Sequence, residues 1–213
     1  MKKAVFTVNF NNYDRIRYVP KWDGWDSILV TDNPVMDMRF AKTIFRETVN
    51  PELDSRYYKW MSHITMPEYD TVIYYDANLE LIRQPSQDHF HIVHEVRKSV
   101  REELDALIKL NHRWDKDSLE RQWGWMKDNG FEDENGLFLN GFFGRSNRDT
   151  RMNIIAEYIW LICKTWTNRD MLALPYSLWE TDYQLPNQVP RSFFSYHVRR
   201  PAHKWKHPIL KLK

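Results

Sequence analysis

Apolar and polar positions alternate between two periods along this chain. Short β-branched and aromatic runs at AVFTVNF (residues 4–10), DSILVTD (26–32) and TVIYY (71–75) predict strands, the first two ending in polar residues at their carboxyl side. GLFLNGFFGRSN (136–147) predicts a further strand entering a glycine-bearing loop, whereas HFHIVHEV (89–96) fits either period. Three- and four-residue spacing predicts helices over 51–64, 96–110, 115–130, 150–164 and 168–178, with Gly130 closing the third. Strands that alternate with helices imply an α/β domain with a mostly parallel mixed sheet flanked by helices, whose ligands bind beyond the strands' carboxyl ends. Thr31, Asp32, Asn33, Asp76 and Asn78 then share that edge.

Composition narrows the class. The 213 residues, 42% hydrophobic and 28% charged, suit one domain over 1–213, and no run approaches the roughly 20 apolar residues of a membrane span. The opening MKKAVFTVNFNNYD is broken by Asn9, Asn11, Asn12 and Asp14 and reads as a first strand, not a signal peptide. A single cysteine, Cys163, in the apolar context EYIWLICKTW points to a buried helix face and a reducing, cytoplasmic compartment. Net charge is +2, but residues 191–213 hold seven of the 31 Lys and Arg and no acid, which leaves 24 basic against 29 acidic residues elsewhere. Such a basic end suits phosphate, an acidic polymer, a membrane surface or a link to a further domain. Ten Trp, eleven Tyr and eleven Phe add faces on which bases or sugars stack, although most belong in a core of this size.

The triplet Asp76, Ala77, Asn78 at the mouth of an apolar strand needs compensation for a carboxylate, and a hard divalent cation such as Mg²⁺ or Mn²⁺ supplies it. A turn in which Asp76 or Asn78 bonds its own backbone is the structural alternative. Arg56, Lys59 and His63 recur at helical spacing and share a face, solvated or facing a ligand. Gly141 and Gly144 allow close backbone approach or a bulge, and Asn140 offers amide groups to hydroxyls. Asp170 suits a general base, or the acid of a capping box begun by Thr167; Glu180 and Asp182 are further base candidates. His89 and His91 share a strand face that excludes His94, which argues against a histidine metal site.

The ordered segments SRYYKWMSHITMPEYDTVIYYDANLEL, ENGLFLNGFFGRSN and TNRDMLALPYSLWE resemble the GT-A glycosyltransferase-like family formerly catalogued as a domain of unknown function. The similarity extends over about residues 4 to 180 and is drawn to the domain with which large algal (chlorella) viruses glycosylate their major capsid protein. It implies the GT-A fold, a UDP-sugar donor, a glycan or glycoprotein acceptor, and Mn²⁺ or Mg²⁺ held by a DxD-type motif. Asp76 stands at that motif, with Asn78 where a second Asp is usual. The resemblance further implies that Thr7, Asn9, Tyr13, Thr31 and Asp32 hold base and ribose, that Arg56, Lys59 and His63 face the donor, and that Asn140 and Gly141 line the sugar pocket. It extends loosely to HKWK, where His203 would complete the metal shell and Lys204 and Lys206 would meet the diphosphate. Turn and cap chemistry is the alternative for the strand-end residues. A non-catalytic glycan- or nucleic-acid-binding protein remains the rival class, although the body is acidic and carries no nucleic-acid motif.

Overall fold

The computed structural model describes residues 1–86, 89–94, 96–110, 114–185, 188–189 and 194–196. Strands β1 (Lys3–Asn9), β2 (Trp25–Thr31), β3 (Lys42–Phe45), β4 (Thr71–Tyr75), β6 (Phe90–Val93), β7 (Phe138–Ser146) and β8 (Gln188–Val189) form one sheet in the order β3-β2-β1-β4-β7-β6-β8. A two-stranded sheet pairs β5 (Leu79–Leu81) with β9 (Phe194–Tyr196). In the large sheet the β1/β2, β2/β3, β1/β4 and β6/β8 pairs are parallel and only β7 runs against its neighbours, while β5 and β9 are antiparallel. The carboxyl ends of β1, β2, β4 and β6 therefore share an edge with the start of β7.

The two sheet faces bury different things. Ala4, Phe6, Val72, Tyr74 and Phe143 enter a large core with residues of the helices α1 (Pro51–Trp60), α3 (Val100–Leu110), α4 (Lys116–Asp128), α5 (Thr150–Thr165) and α6 (Asp170–Glu180). Their sequence neighbours Val5, Ile73, Tyr75 and Phe142 point the other way, onto β5, β9 and the aromatic segment Tyr18, Trp22 and Trp25. Helices thus cover one face and the small sheet the other. TVIYY is buried on both sides, which is why it reads as an unbroken apolar run.

Local chemistry explains most boundaries. Asn50, Asp115 and Asp149 cap α1, α4 and α5, and Pro51 opens α1 where its missing N–H costs nothing. The helix expected over 51–64 breaks at Met61 into α1 and the short α2 (Ser62–Thr65). The capping-box alternative for Thr167 and Asp170 is not realised: α6 begins at Asp170, and the Thr167 hydroxyl donates to Gln122 Oε1 at 2.6 Å. The ambiguous 89–96 stretch supplies β6, and the helix after it starts only at Val100. Cys163 is buried in α5, and burial pushes its thiol pKa up. No helix among the described residues is long and apolar enough to cross a membrane.

Candidate functional site

The turn after β1 is built by the residues that end it. Asn11 and Asn12 adopt positive φ, 55° and 47°, which asparagine tolerates better than most side chains. Asn9 clamps this turn, its amide donating to the Asp14 carbonyl at 2.9 Å and its Oδ1 accepting from the Asp14 N–H at 3.1 Å. Asp32 accepts from the Asn11 N–H, and the Thr31 hydroxyl donates to the Asn9 carbonyl at 2.9 Å while accepting from the Asn33 N–H. The turn alternative is therefore realised for Asn9, Thr31 and Asp32. It does not empty the edge of ligand space, because an open pocket of about 360 Å³ lies there, bounded by Asn9, Asn12, Arg15, Thr31, Asn33 and Arg39 among others. That volume is in the range of small-molecule sites. Tyr13 is 42% exposed on the same turn, and Thr7 is buried with a hydroxyl that meets no hydrogen-bond partner among the described residues.

Asp76 follows β4 at the neighbouring strand end. Its N–H donates to the Gly141 carbonyl at 2.7 Å, extending the β4/β7 ladder by one residue. Tyr74, two residues earlier on the same face, donates its hydroxyl to Asp76 Oδ1 at 2.7 Å. The other oxygen lies so close to Gly141 that a Cβ there would sit 2.7 Å from it. Between β6 and β7 the register slips from His91↔Phe143 to Ile92↔Leu139, and this bulge contains Asn140 and Gly141. Asn140 is 2% exposed, and neither its Oδ1 nor its Nδ2 has a hydrogen-bond partner among the described residues; Asn78 Oδ1, in a side chain 9% exposed, is in the same state. Buried amides without partners are costly, and a hydroxyl-rich or cationic ligand would satisfy them. Ala77 is buried between Asp76 and Asn78.

Beneath Asp76 lies a buried charge cluster. Lys59 Nζ meets Asp170 Oδ2 at 2.6 Å, both residues being 2% exposed, and Trp60 Nε1 donates to the same oxygen at 3.0 Å. Arg56 Nε is 3.9 Å from Asp170 Oδ1 and donates to the Asn168 carbonyl. Burial alone would raise the Asp170 pKa, but Lys59 and Arg56 outweigh it and hold the carboxyl well below its ordinary value. The opposite happens to Arg56: burial would lower its pKa, and Asp170, with Tyr74 and Asp76, overrides that. Lys59 also lies 4.8 Å from the centre of the Tyr74 ring. Asp170, with Oδ2 held by Lys59 and Trp60 and its proton affinity low, fits a counter-ion better than a proton acceptor.

The structure thus gathers Arg56, Lys59, Asp76 and Asp170 with Tyr74, and separates His63 from them. The break at Met61 ends the helical face, so His63 turns to Arg145 Nη2 at 3.3 Å and Glu157 Oε1 at 3.4 Å. His91 is buried against Phe143, ring centres 5.3 Å apart, and His94 Nδ1 accepts from the Val96 and Arg97 N–H groups. His203, Lys204 and Lys206 lie outside the described residues. Tyr74 and Trp60 escaped the sequence reading as site residues, although the two-residue offset of Tyr74 from Asp76 was a usable signal. Among the described residues no three His, Cys, Asp or Glu side chains converge as a metal cage. Asp76 and Asn78 nevertheless offer oxygens of the type hard cations prefer, and a ligand's own phosphates would complete such a shell. No family model matches the chain, and neither does any curated protein.

Proposed function

We propose that this protein is a metal-dependent glycosyltransferase of the GT-A fold, moving a hexose or deoxyhexose from a UDP-sugar to a hydroxyl of a glycan or glycoprotein. The observation that carries the reading is Asp76. It is a carboxylate held from both sides at the carboxyl end of a parallel strand, next to the buried Asn78 Oδ1 and the buried Asn140 amide, which have no hydrogen-bond partner among the described residues. The sheet order β3-β2-β1-β4-β7-β6, with β7 alone reversed, supports the same fold assignment.

In this reading the pocket beyond β1 and β2 takes the nucleoside, its polar rim built by Asn9, Asn12, Thr31 and Asn33. Asp76 and Asn78 would hold Mn²⁺ or Mg²⁺, which when bound neutralises charge on the departing diphosphate. Asn140, its amide buried and unspent, reads sugar hydroxyls from the bulge. Arg56 and Lys59 keep the ground beneath the site electrostatically balanced against Asp170 and Asp76. The acceptor's proton leaves to a group other than Asp170, whose carboxylate is already committed to Lys59 and Trp60.

Isothermal titration of UDP with and without Mn²⁺, in the wild type and in Asp76→Ala, tests the reading. Binding that needs the metal and disappears in the variant is expected. Metal-independent or absent UDP binding rejects it, and salt-sensitive binding of random oligonucleotides in its place would favour the nucleic-acid rival.

A further inference from the structure

We infer that Tyr74 is a positioning residue for the Asp76 carboxylate, and that Asp170 and Lys59 act on the donor site through Tyr74. This deepens the transferase reading and rests on it.

A carboxylate on a strand end ordinarily rotates about its last torsion and loses that freedom on binding a ligand. At Asp76 three contacts remove it beforehand. The backbone is fixed by the N–H bond to the Gly141 carbonyl, Oδ1 accepts from the Tyr74 phenol at 2.7 Å, and Oδ2 is backed against the Gly141 Cα, where no side chain fits. Oδ2 is then the oxygen left to a cation, and its direction is set before any ligand arrives. Tyr74 is itself immobile: its ring is 4% exposed and packs edge-on against Phe6 at 5.3 Å and tilted against Phe143 at 5.5 Å.

The same ring carries the Lys59 ammonium 4.8 Å from its centre. A cation over the face draws electron density from the phenol and makes its O–H a better donor. Lys59 stays there because Asp170 holds Nζ at 2.6 Å, and Asp170, the first residue of α6, is held in turn by Trp60 Nε1. Asp170, 94 residues after Asp76 in the sequence, thereby reaches the donor site without touching a ligand.

UDP binding measured calorimetrically over a series of Mn²⁺ concentrations, with the melting temperature of each protein, tests this in Tyr74→Phe. The Mn²⁺ concentration giving half-maximal binding should rise about tenfold, equivalent to about 1.4 kcal/mol. UDP affinity at saturating Mn²⁺ should recover to within about twofold, since the loss is in cation geometry and not in nucleoside contacts. Asp170→Asn should shift the same midpoint in the same direction by less. An unchanged midpoint in Tyr74→Phe overturns the positioning role and leaves the transferase reading standing. A loss of UDP affinity that saturating Mn²⁺ does not restore, or a collapse of the melting temperature, marks Tyr74 as a structural residue and also overturns the inference. Failure of the wild type to bind UDP at any Mn²⁺ concentration overturns both.

Discussion

At Lys59 and Asp170 two opposite charges give up almost all contact with water, an arrangement whose worth depends on keeping both. Lys59→Met leaves a carboxylate buried with only Trp60 Nε1 and a distant Arg56, and should cost about 3–5 kcal/mol in urea unfolding. The double variant Lys59→Met with Asp170→Leu should recover much of that loss, because neither charge then remains to be solvated; Trp60 Nε1 still loses its acceptor, so recovery falls short of wild type. Additive losses in the two single variants and their combination would show that the pair is not coupled. Gly141 makes the complementary case at the neighbouring position. In Gly141→Ala the new methyl would lie 2.7 Å from Asp76 Oδ2, so the carboxylate must swing away. The proposed site predicts that metal-dependent UDP binding drops at least tenfold while the melting temperature changes little, and calorimetry beside a thermal scan checks both.

Elements were legible where a single local signal sufficed. The strand at 71–75, the helices that became α4 and α5, and the edge shared by Thr31 and Asp76 follow from periodicity and capping alone. Strands β3 and β5 were not foreseen, since KTIF and LEL are too short to show a period and are ordered by their neighbours, β2 and β9. Thr167 and Asp170 match a capping box in spacing, yet the tertiary partners Gln122 and Lys59 claim them, and no local pattern announces a partner more than forty residues away. The candidate site divides similarly. Asp76, Asn78 and Asn140 were named from strand-end chemistry and resemblance, whereas Tyr74 sits inside an apolar run, with only its two-residue offset from Asp76 to set it apart from core. Where a cap was realised its worth is measurable: Asp149 Oδ1 accepts from the Arg151 and Met152 N–H groups at 3.0 and 3.1 Å, and Oδ2 from the Tyr183 hydroxyl at 3.1 Å. Asp149→Ala should destabilise the protein by about 1–2 kcal/mol. A differential scan should record a fall of roughly 2–8 °C, at about 2–4 °C per kcal/mol for a chain of this size.

Across the whole molecule, the sheet separates a helix-covered face that stores buried charge and imidazole from a smaller aromatic face that does not, and this gives acid stability a definite shape. His91 lies on the helix face, 3% exposed; burial chiefly, then Arg145 and Lys59, lowers its pKa from 6.5 to about 3. Between those values the unfolded chain binds a proton that the folded protein refuses, so stability falls as pH drops through the window, by about 1.4 kcal/mol per unit when fully developed. Asp170 acts lower on the scale. Its folded pKa is depressed, so the stability it contributes is present above the ordinary carboxylate range near 4 and is lost only as pH falls below it. In a urea titration at pH 7, 5 and 3.5 the step from 7 to 5 therefore reports the imidazole without Asp170, whereas the step to 3.5 carries both groups. His91→Phe keeps a ring against Phe143 and removes the first step, so the loss from pH 7 to pH 5 should shrink by about 2 kcal/mol relative to wild type. Among the described residues, His63 and His94, whose pKa values burial also lowers, add to the slope that remains there. Below pH 4 the variant should still lose stability through the untouched Lys59–Asp170 pair, but less steeply than wild type until pH reaches about 3, where the His91 contribution ends. An unaltered slope between pH 7 and 5 in His91→Phe would mean that the imidazole finds solvent or a counter-ion in the folded protein, and that the helix face is more open than its packing around Phe143 implies.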